Sequence, residues 1–205
     1  MTAPLTEKRL GTTSLTAFAE ALASAAPTPG GSCASAVPAG LAAGLVTMVA
    51  RLSAESDPFS DLSFALEAVA SEADRLREEL LGLLEEDATA FDRVMAARRL
   101  REGSGVQDAY RAAVEPPLEV CRRSLRVLEL AAHVAEKGNP NAAADAGVAV
   151  LLAAASVEAG ALNARLDLSA IEDEAFRAAC ADELRTIRAQ AERLRESALA
   201  AVLPG

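Results

Sequence analysis

Tryptophan is absent from the 205 residues, tyrosine and histidine occur once each, and aromatic residues total 3%. A core must therefore be assembled from Ala, Leu and Val, and the residues that favour strands are too few for a sheet protein. Lysine occurs only as Lys8 and Lys137; the 20 basic residues face 30 acidic ones, for a formal charge of −10. That balance excludes a nucleic-acid binder, which must neutralise phosphates with a basic surface. It also argues against an anionic membrane surface as partner. The three cysteines, Cys33, Cys121 and Cys180, lie far apart and form no CxxC, and the one histidine is His133. Zinc tetrads and histidine-dependent nucleophilic catalysis are thus excluded or starved, and no metal site is expected. The cysteines read as core filler and His133 as structural, and an odd thiol count suits a reducing, cytoplasmic setting. Residues 1–20 contain Glu7, Lys8, Arg9 and Glu20 with no apolar run, so no signal peptide is expected.

Hydrophobic residues make up 51% of the chain, enough for a single domain over 1–205 with its own core. Ala and Leu lose little side-chain freedom in a helix, and no strand-like alternation occurs. The spacing predicts an all-α fold, an antiparallel bundle of about six long helices with no internal repeat. The first runs from Ser14 to Ala25 and the second from Cys33 to Leu52. After a break at Pro58, the third runs from Ser60 or Asp61 to Arg101, ended by Gly103-Ser104-Gly105. A fourth spans Asp108 to Lys137 with a bend at Pro116-Pro117, and a fifth Asn141 to Leu168. A sixth, capped by Ser169, reaches Leu203. Ala21–Ala50 carries no charge, but Pro27, Pro29 and Pro38 interrupt it. It reads as a buried segment of a soluble protein rather than a membrane span. Gly40 and Gly44 bring small residues onto one face, where another backbone could approach. With the Ala-rich helix from Asn141 they offer more charge-free surface than one small bundle buries, so a homodimer is expected.

Chemistry concentrates at three places. Along the third helix the apolar stripe Leu62, Leu66, Val69, Ala73, Leu76, Leu80, Leu83 arrives at Asp87 before resuming at Phe91 and Val94. A carboxylate on that stripe is a candidate catalytic group; alternatively Leu84 and Ala88 carry the stripe and Asp87 lies at its wet edge. Gly30-Gly31-Ser32 opens the second helix, either as an anion-binding turn or simply as a tight one. In Gly138-Asn139-Pro140-Asn141-Ala-Ala-Ala-Asp145, Asn141 and Asp145 share a helix face, and Asn141 also reads as an N-cap. Lys137 reads as a C-terminal helix residue favoured by the dipole. Asn163 lies on the same helix as Asp145 but roughly 27 Å along it, so one compact centre cannot use both. Asn163 and Asp167 are read as structural, or else as reaching a neighbouring subunit's site.

These three segments, in this order, resemble the cyclodeaminase domain of the formiminotransferase-cyclodeaminase family and its stand-alone methenyltetrahydrofolate cyclohydrolase relatives. The family's Pro-x-Pro-Gly-Gly-Gly-Ser reads here Pro27-Thr-Pro-Gly-Gly-Ser-Cys33. Its Asp-x-x-Ala-Phe reads Asp87-Ala-Thr-Ala-Phe91, and its Asn-x-x-Ser-Asp ends Ala144-Asp145. Its Asn-Val-x-x-Asn reads Asn163-Ala-Arg-Leu-Asp167. The resemblance covers essentially the whole chain. It implies an all-helical, cytoplasmic homodimer acting on a tetrahydrofolate derivative without a further cofactor. Asp87 and Asp145 would be catalytic, and Gly30, Gly31, Ser32, Asn139 and Asn141 would bind substrate. Cyclohydrolase and cyclodeaminase both remain open, with the first favoured because no formiminotransferase domain precedes. A non-catalytic folate-binding or scaffold relative is the alternative.

Overall fold

The Ala- and Leu-rich segments form six α-helices, joined by short turns, with no strand among the described residues. The computed structural model describes residues 10–55, 60–100 and 103–203. The helices are α1 (Leu15–Leu22), α2 (Gly31–Ala54), α3 (Asp61–Leu100), α4 (Gly103–Lys137), α5 (Ala143–Leu168) and α6 (Glu174–Val202). The expected break at Pro58, the helix end at Arg101, and Lys8 lie outside the described residues.

Side-chain caps fix several helix starts. Ser14 Oγ accepts from Ala17 N–H at 3.2 Å, and Asp173 Oδ1 accepts from Phe176 N–H at 3.0 Å. Ser169, expected to cap the sixth helix, instead donates its hydroxyl to Leu166 O and closes α5. Asn139 rather than Asn141 is the cap before α5, its Oδ1 accepting from Asn141 N–H at 2.9 Å. The expected separator Gly103-Ser104-Gly105 forms the start of α4, and α4 runs through Pro116 and Pro117. Two prolines cost intrahelical hydrogen bonds. Burial of Val114, Leu118, Val120 and Cys121 along this part of α4 offsets the loss.

The most apolar helices, α2 and α5, lie antiparallel at the centre. Gly31, at the start of α2, sits against Asn163 near the end of α5. At the opposite end, Asn139 N–H donates to Ser53 Oγ at 2.7 Å. α3 flanks α2, α6 flanks α5, and α4 packs behind against all four. Both α2 and the Pro140–Leu168 stretch are long and apolar enough to cross a membrane, yet 61% and 50% of their most apolar windows are buried within the chain. The small-residue spacing on α2 serves this chain's own packing. A Cβ at Gly40 would lie 3.3 Å from Leu81 Cδ2 on α3, and one at Gly44 would lie 4.0 Å from Arg77 Cδ. The surface turned away from α4 is a different one. On α2 it presents Leu41, Met48 and Leu52, and on α5 Val148, Leu151, Leu162 and Leu166, all exposed.

Gly160 sets the approach of α5 to α4. A Cβ there would meet Cys121 Sγ at 2.9 Å and the Pro117 carbonyl oxygen at 3.1 Å. Gly160→Ala is therefore expected to destabilise by about 1–3 kcal/mol through overpacking against backbone. Gly82, within α3, has nothing within 4 Å of such a Cβ. Gly82→Ala should add about 0.5–1 kcal/mol from helix propensity alone. Urea midpoints of the two variants, read against the parent, test both signs.

Charge joins the helices from outside. Arg126 pairs with Glu72 at 2.8 Å and Arg123 with Glu79 at 2.9 Å, linking α4 to α3. Arg122 pairs with Glu183 at 2.6 Å, linking α4 to α6, and Arg188 pairs with Glu158, linking α6 to α5. Exposed pairs of this kind contribute about 0–1 kcal/mol each.

Candidate active site

Asp87 stands on α3 just beyond Leu83 and Leu84, both buried. Leu84 carries the apolar stripe at this turn, leaving Asp87 half-buried at its edge. α2 reaches the carboxylate there. The Cys33 thiol, 1% exposed, donates to Asp87 Oδ2 at 3.2 Å and lies 3.5 Å from Leu84 O. Burial, reinforced by the charge of Asp87, pushes the Cys33 thiol up to about 12, so it is a neutral donor at any physiological pH. Cys33 is thus core filler that also fixes a carboxylate.

The thiol sits in the first turn of a 24-residue helix whose N-cap, Gly30, supplies no side chain to the free N–H groups. The positive end of that helix favours a negative charge nearby. Next to it, Ser32 Oγ is buried with no hydrogen-bond partner. Its backbone oxygen accepts from Ser35 Oγ at 2.6 Å.

α5 closes the third side. Asn163 Nδ2 donates to Ala159 O at 2.9 Å, which turns Oδ1 toward Gly31; a Cβ on that glycine would lie 3.4 Å from it. Asp167 follows one helical turn later on the same face. Its carboxyl is pushed up to about 6, first by burial and then by the charge of Asp87. Among the described residues, no Lys or Arg forms an ion pair with Asp87 or Asp167.

Gly30, Gly31, Ser32 and Asp87 therefore come together, whereas Asn139, Asn141 and Asp145 do not join them. The latter three lie beside Ser53, at the far end of the α2–α5 pair. Within one chain the antiparallel pairing holds the two sets apart. It is the end bearing Asn163 and Asp167, read from sequence as structural, that meets the glycine turn. Asn139 is engaged twice, through its N–H to Ser53 and its Oδ1 to Asn141, while Asp145 is half-buried in the first turn of α5. His133 is exposed on α4.

Among the described residues, no three His, Cys, Asp or Glu side chains converge to hold a metal ion. Two surface depressions, of about 360 and 230 Å³, line the apolar front, beside Met48, Arg51 and Arg77 and beside Leu151, Glu158 and Arg195. Neither depression coincides with the Asp87 and Asp167 carboxylates. The polar groups of the first are already paired, Arg51 with Asp74 at 2.6 Å and Arg77 with Asp74 at 3.2 Å.

Three comparisons bear on this arrangement. A methenyltetrahydrofolate cyclohydrolase from Methylorubrum extorquens is 36% identical over 195 residues, covering 91% of this chain and 94% of the relative. The formimidoyltransferase-cyclodeaminase of Gallus gallus is 26% identical over 83% of this chain, which spans 33% of that longer protein. Among solved structures, the formiminotetrahydrofolate cyclodeaminase of Thermotoga maritima superposes with a TM-score of 0.89 at 28% identity, covering 93% of this chain and 96% of that one. The formiminotransferase-cyclodeaminase profile matches residues 14–186. With that match and the near full-length 36% relative, this helical chain belongs to the formiminotransferase-cyclodeaminase family.

Proposed function

We propose that this chain is a cytoplasmic enzyme of folate one-carbon metabolism, a methenyltetrahydrofolate cyclohydrolase that uses no separate cofactor. The observation that carries this reading is the Asp87 carboxylate, held at 3.2 Å by a neutral buried thiol at the start of α2. In the reaction, water adds to the carbon of the cationic N5–CH–N10 bridge. Asp87 takes a proton from that water as the C–O bond forms. It returns the proton to N5 as the C–N5 bond breaks. The remaining hydroxyl proton leaves to solvent, giving the neutral 10-formyl product and one proton. Two carboxylates beside Gly30, Gly31 and Ser32 make that turn a poor seat for the anionic glutamate tail. It fits the one-carbon end of the substrate instead, with Asn163 beside it.

A cyclodeaminase is the second reading, favoured by the resemblance to the Thermotoga maritima enzyme. It closes the same bridge with loss of ammonia and makes the same demand on Asp87. One preparation assayed with both substrates, by absorbance of the methenyl species, separates them. The expected result is loss of the methenyl signal with the bridged substrate and no gain with the formimino one. The reverse result makes the chain a deaminase. The three thiols, all free and buried, suit a reducing compartment.

The apolar front of α2 and α5 is read as a homodimer interface. Its exposed residues Leu41, Met48 and Leu52 on α2 and Val148, Leu151, Leu162 and Leu166 on α5 stand at intervals of whole or combined helical turns, and it spans both open depressions. When each helix packs antiparallel on its own copy, the Asn141–Asp145 end of one chain faces the Asp87–Asn163 end of the other. Under that arrangement Asn139, Asn141 and Asp145 serve the neighbouring chain's site. Sedimentation at micromolar concentration is expected to show a dimer, and Leu41→Glu a monomer. A parent protein that sediments only as monomer refutes the pairing.

A further inference from the structure

We infer that Asp167 is a specificity-determining residue of this site: with Asp87 it forms a pair of carboxylates that seats a positively charged one-carbon unit and passes over its neutral congeners. The inference rests on the proposed folate reading and deepens it.

Three observations support it. The first turn of α2 joins the two: Cys33 holds Asp87 of α3 at 3.2 Å, and Gly31, two residues before it, meets Asn163 of α5, one helical turn from Asp167; among the described residues no Lys or Arg pairs with either carboxylate. The groups around them are neutral, namely the Cys33 thiol on α2, the Asn163 amide on α5 and the unpartnered Ser32 hydroxyl. Carboxylates taken from water without a counter-ion are costly, and a cation entering between them removes that cost. The bridged substrate carries such a charge, delocalised over N5, carbon and N10. The 5-formyl and 10-formyl derivatives have nearly the same shape and are neutral at that position.

Of the other charges on the neighbouring elements, Arg111 and Asp173 engage each other. At this level α4 contributes half-buried Tyr110, together with Arg111, whose guanidinium is held by Asp173 at 2.9 Å. Arg165, on α5 itself, is exposed. α6 begins beyond Asp173, which Arg111 neutralises. Asp87 is thus the charged group whose field Asp167 feels.

The proton balance follows. Asp167 in the free protein ionises near 6, raised by burial and by Asp87. A cation bound beside it favours the ionised form, so binding below that pH expels one proton to solvent and binding well above it expels none. Affinity for the cation therefore rises as pH increases through about 6 and then levels off. Affinity for a neutral congener does not rise across this range.

The test measures binding of 5,10-methenyltetrahydrofolate, as KM where it turns over and by calorimetry where it does not. 5-Formyltetrahydrofolate is titrated by calorimetry, and both ligands are followed from pH 5 to 8 in the parent and in Asp167→Asn. The variant is expected to bind the cation about tenfold more weakly, as loss of a charged partner does. It should bind 5-formyltetrahydrofolate unchanged and lose the pH step near 6. Asp167→Glu should restore most of the discrimination. Equal weakening for both ligands, or none for either, overturns the inference. Tight, Asp167-dependent binding of the cation without turnover supports it while sinking the cyclohydrolase reading. Binding of neither ligand by the parent overturns both.

Discussion

Asp87→Asn is expected to keep the fold and lose roughly 10²–10⁴-fold in turnover, the usual worth of a placed proton-transfer group. The amide has the shape of the carboxylate, and its oxygen can still accept the Cys33 thiol. Helix content and the unfolding midpoint should therefore match the parent. What disappears is basicity at the position that, in the proposed mechanism, takes a proton from the attacking water. Cys33→Ala makes the complementary change, leaving the carboxylate but removing the donor that lies 3.2 Å from it. Its loss should be smaller and should recover with Cys33→Ser, which restores a donor. Initial rates of methenyl disappearance, with circular dichroism as the fold control, decide the matter. Unchanged turnover in Asp87→Asn removes this residue from the chemistry.

The second large effect concerns two variants that fail separately and work when mixed. Asp87 and Asp145 lie toward opposite ends of the α2–α5 pair, so within one chain they cannot act on the same atom. In an antiparallel dimer, each site takes Asp87 from one chain and Asp145 from the other. Asp87→Asn and Asp145→Ala should each be nearly inactive alone. Unfolded and refolded together, they form mixed dimers with one site doubly altered and one intact, returning about a quarter of parental activity. If Asp145→Ala alone retains full activity, Asp145 plays no part. If both fail and no mixture recovers, the carboxylates do not share a site across the interface.

The helices were legible because their signal is local. Ser14 announces a start, the stripe on α3 repeats every three or four residues, and Ala-rich segments have little alternative to helix. Asp87 was singled out as an exception within that pattern, but Leu84 carries the stripe there and Asp87 lies at its edge. Asn163 and Asp167 were not legible, because their importance depends on which end of α5 meets the start of α2. Both ends of α5 carry one Asn and one Asp, and nothing local distinguishes them. Only the antiparallel packing, fixed at one end by Gly31 against Asn163 and at the other by Ser53 with Asn139, breaks the tie. The ties from α4 to Glu72, Glu79 and Glu183 were invisible likewise, since those partners lie 44 to 61 positions away in the chain. Ser169 misled because a serine near a helix boundary reads equally as an end or a beginning; Asp173, four residues later, makes the actual cap.

The clamps that tie α4 to its neighbours are guanidinium groups throughout. Acetyl donors, succinimide esters and ubiquitin-transfer systems all attack primary amines, and none of them modifies arginine. The electrostatic exterior of the bundle is therefore out of reach of acylation. Beyond Lys8 and the α-amino group, an amine-directed reagent finds only Lys137, at the end of α4 beside the Gly-Asn turn. A fluorophore or surface tether placed there sits at the opposite end of the central helix pair from Asp87. Among the described residues that gives one defined attachment point from which the proposed dimerisation can be followed.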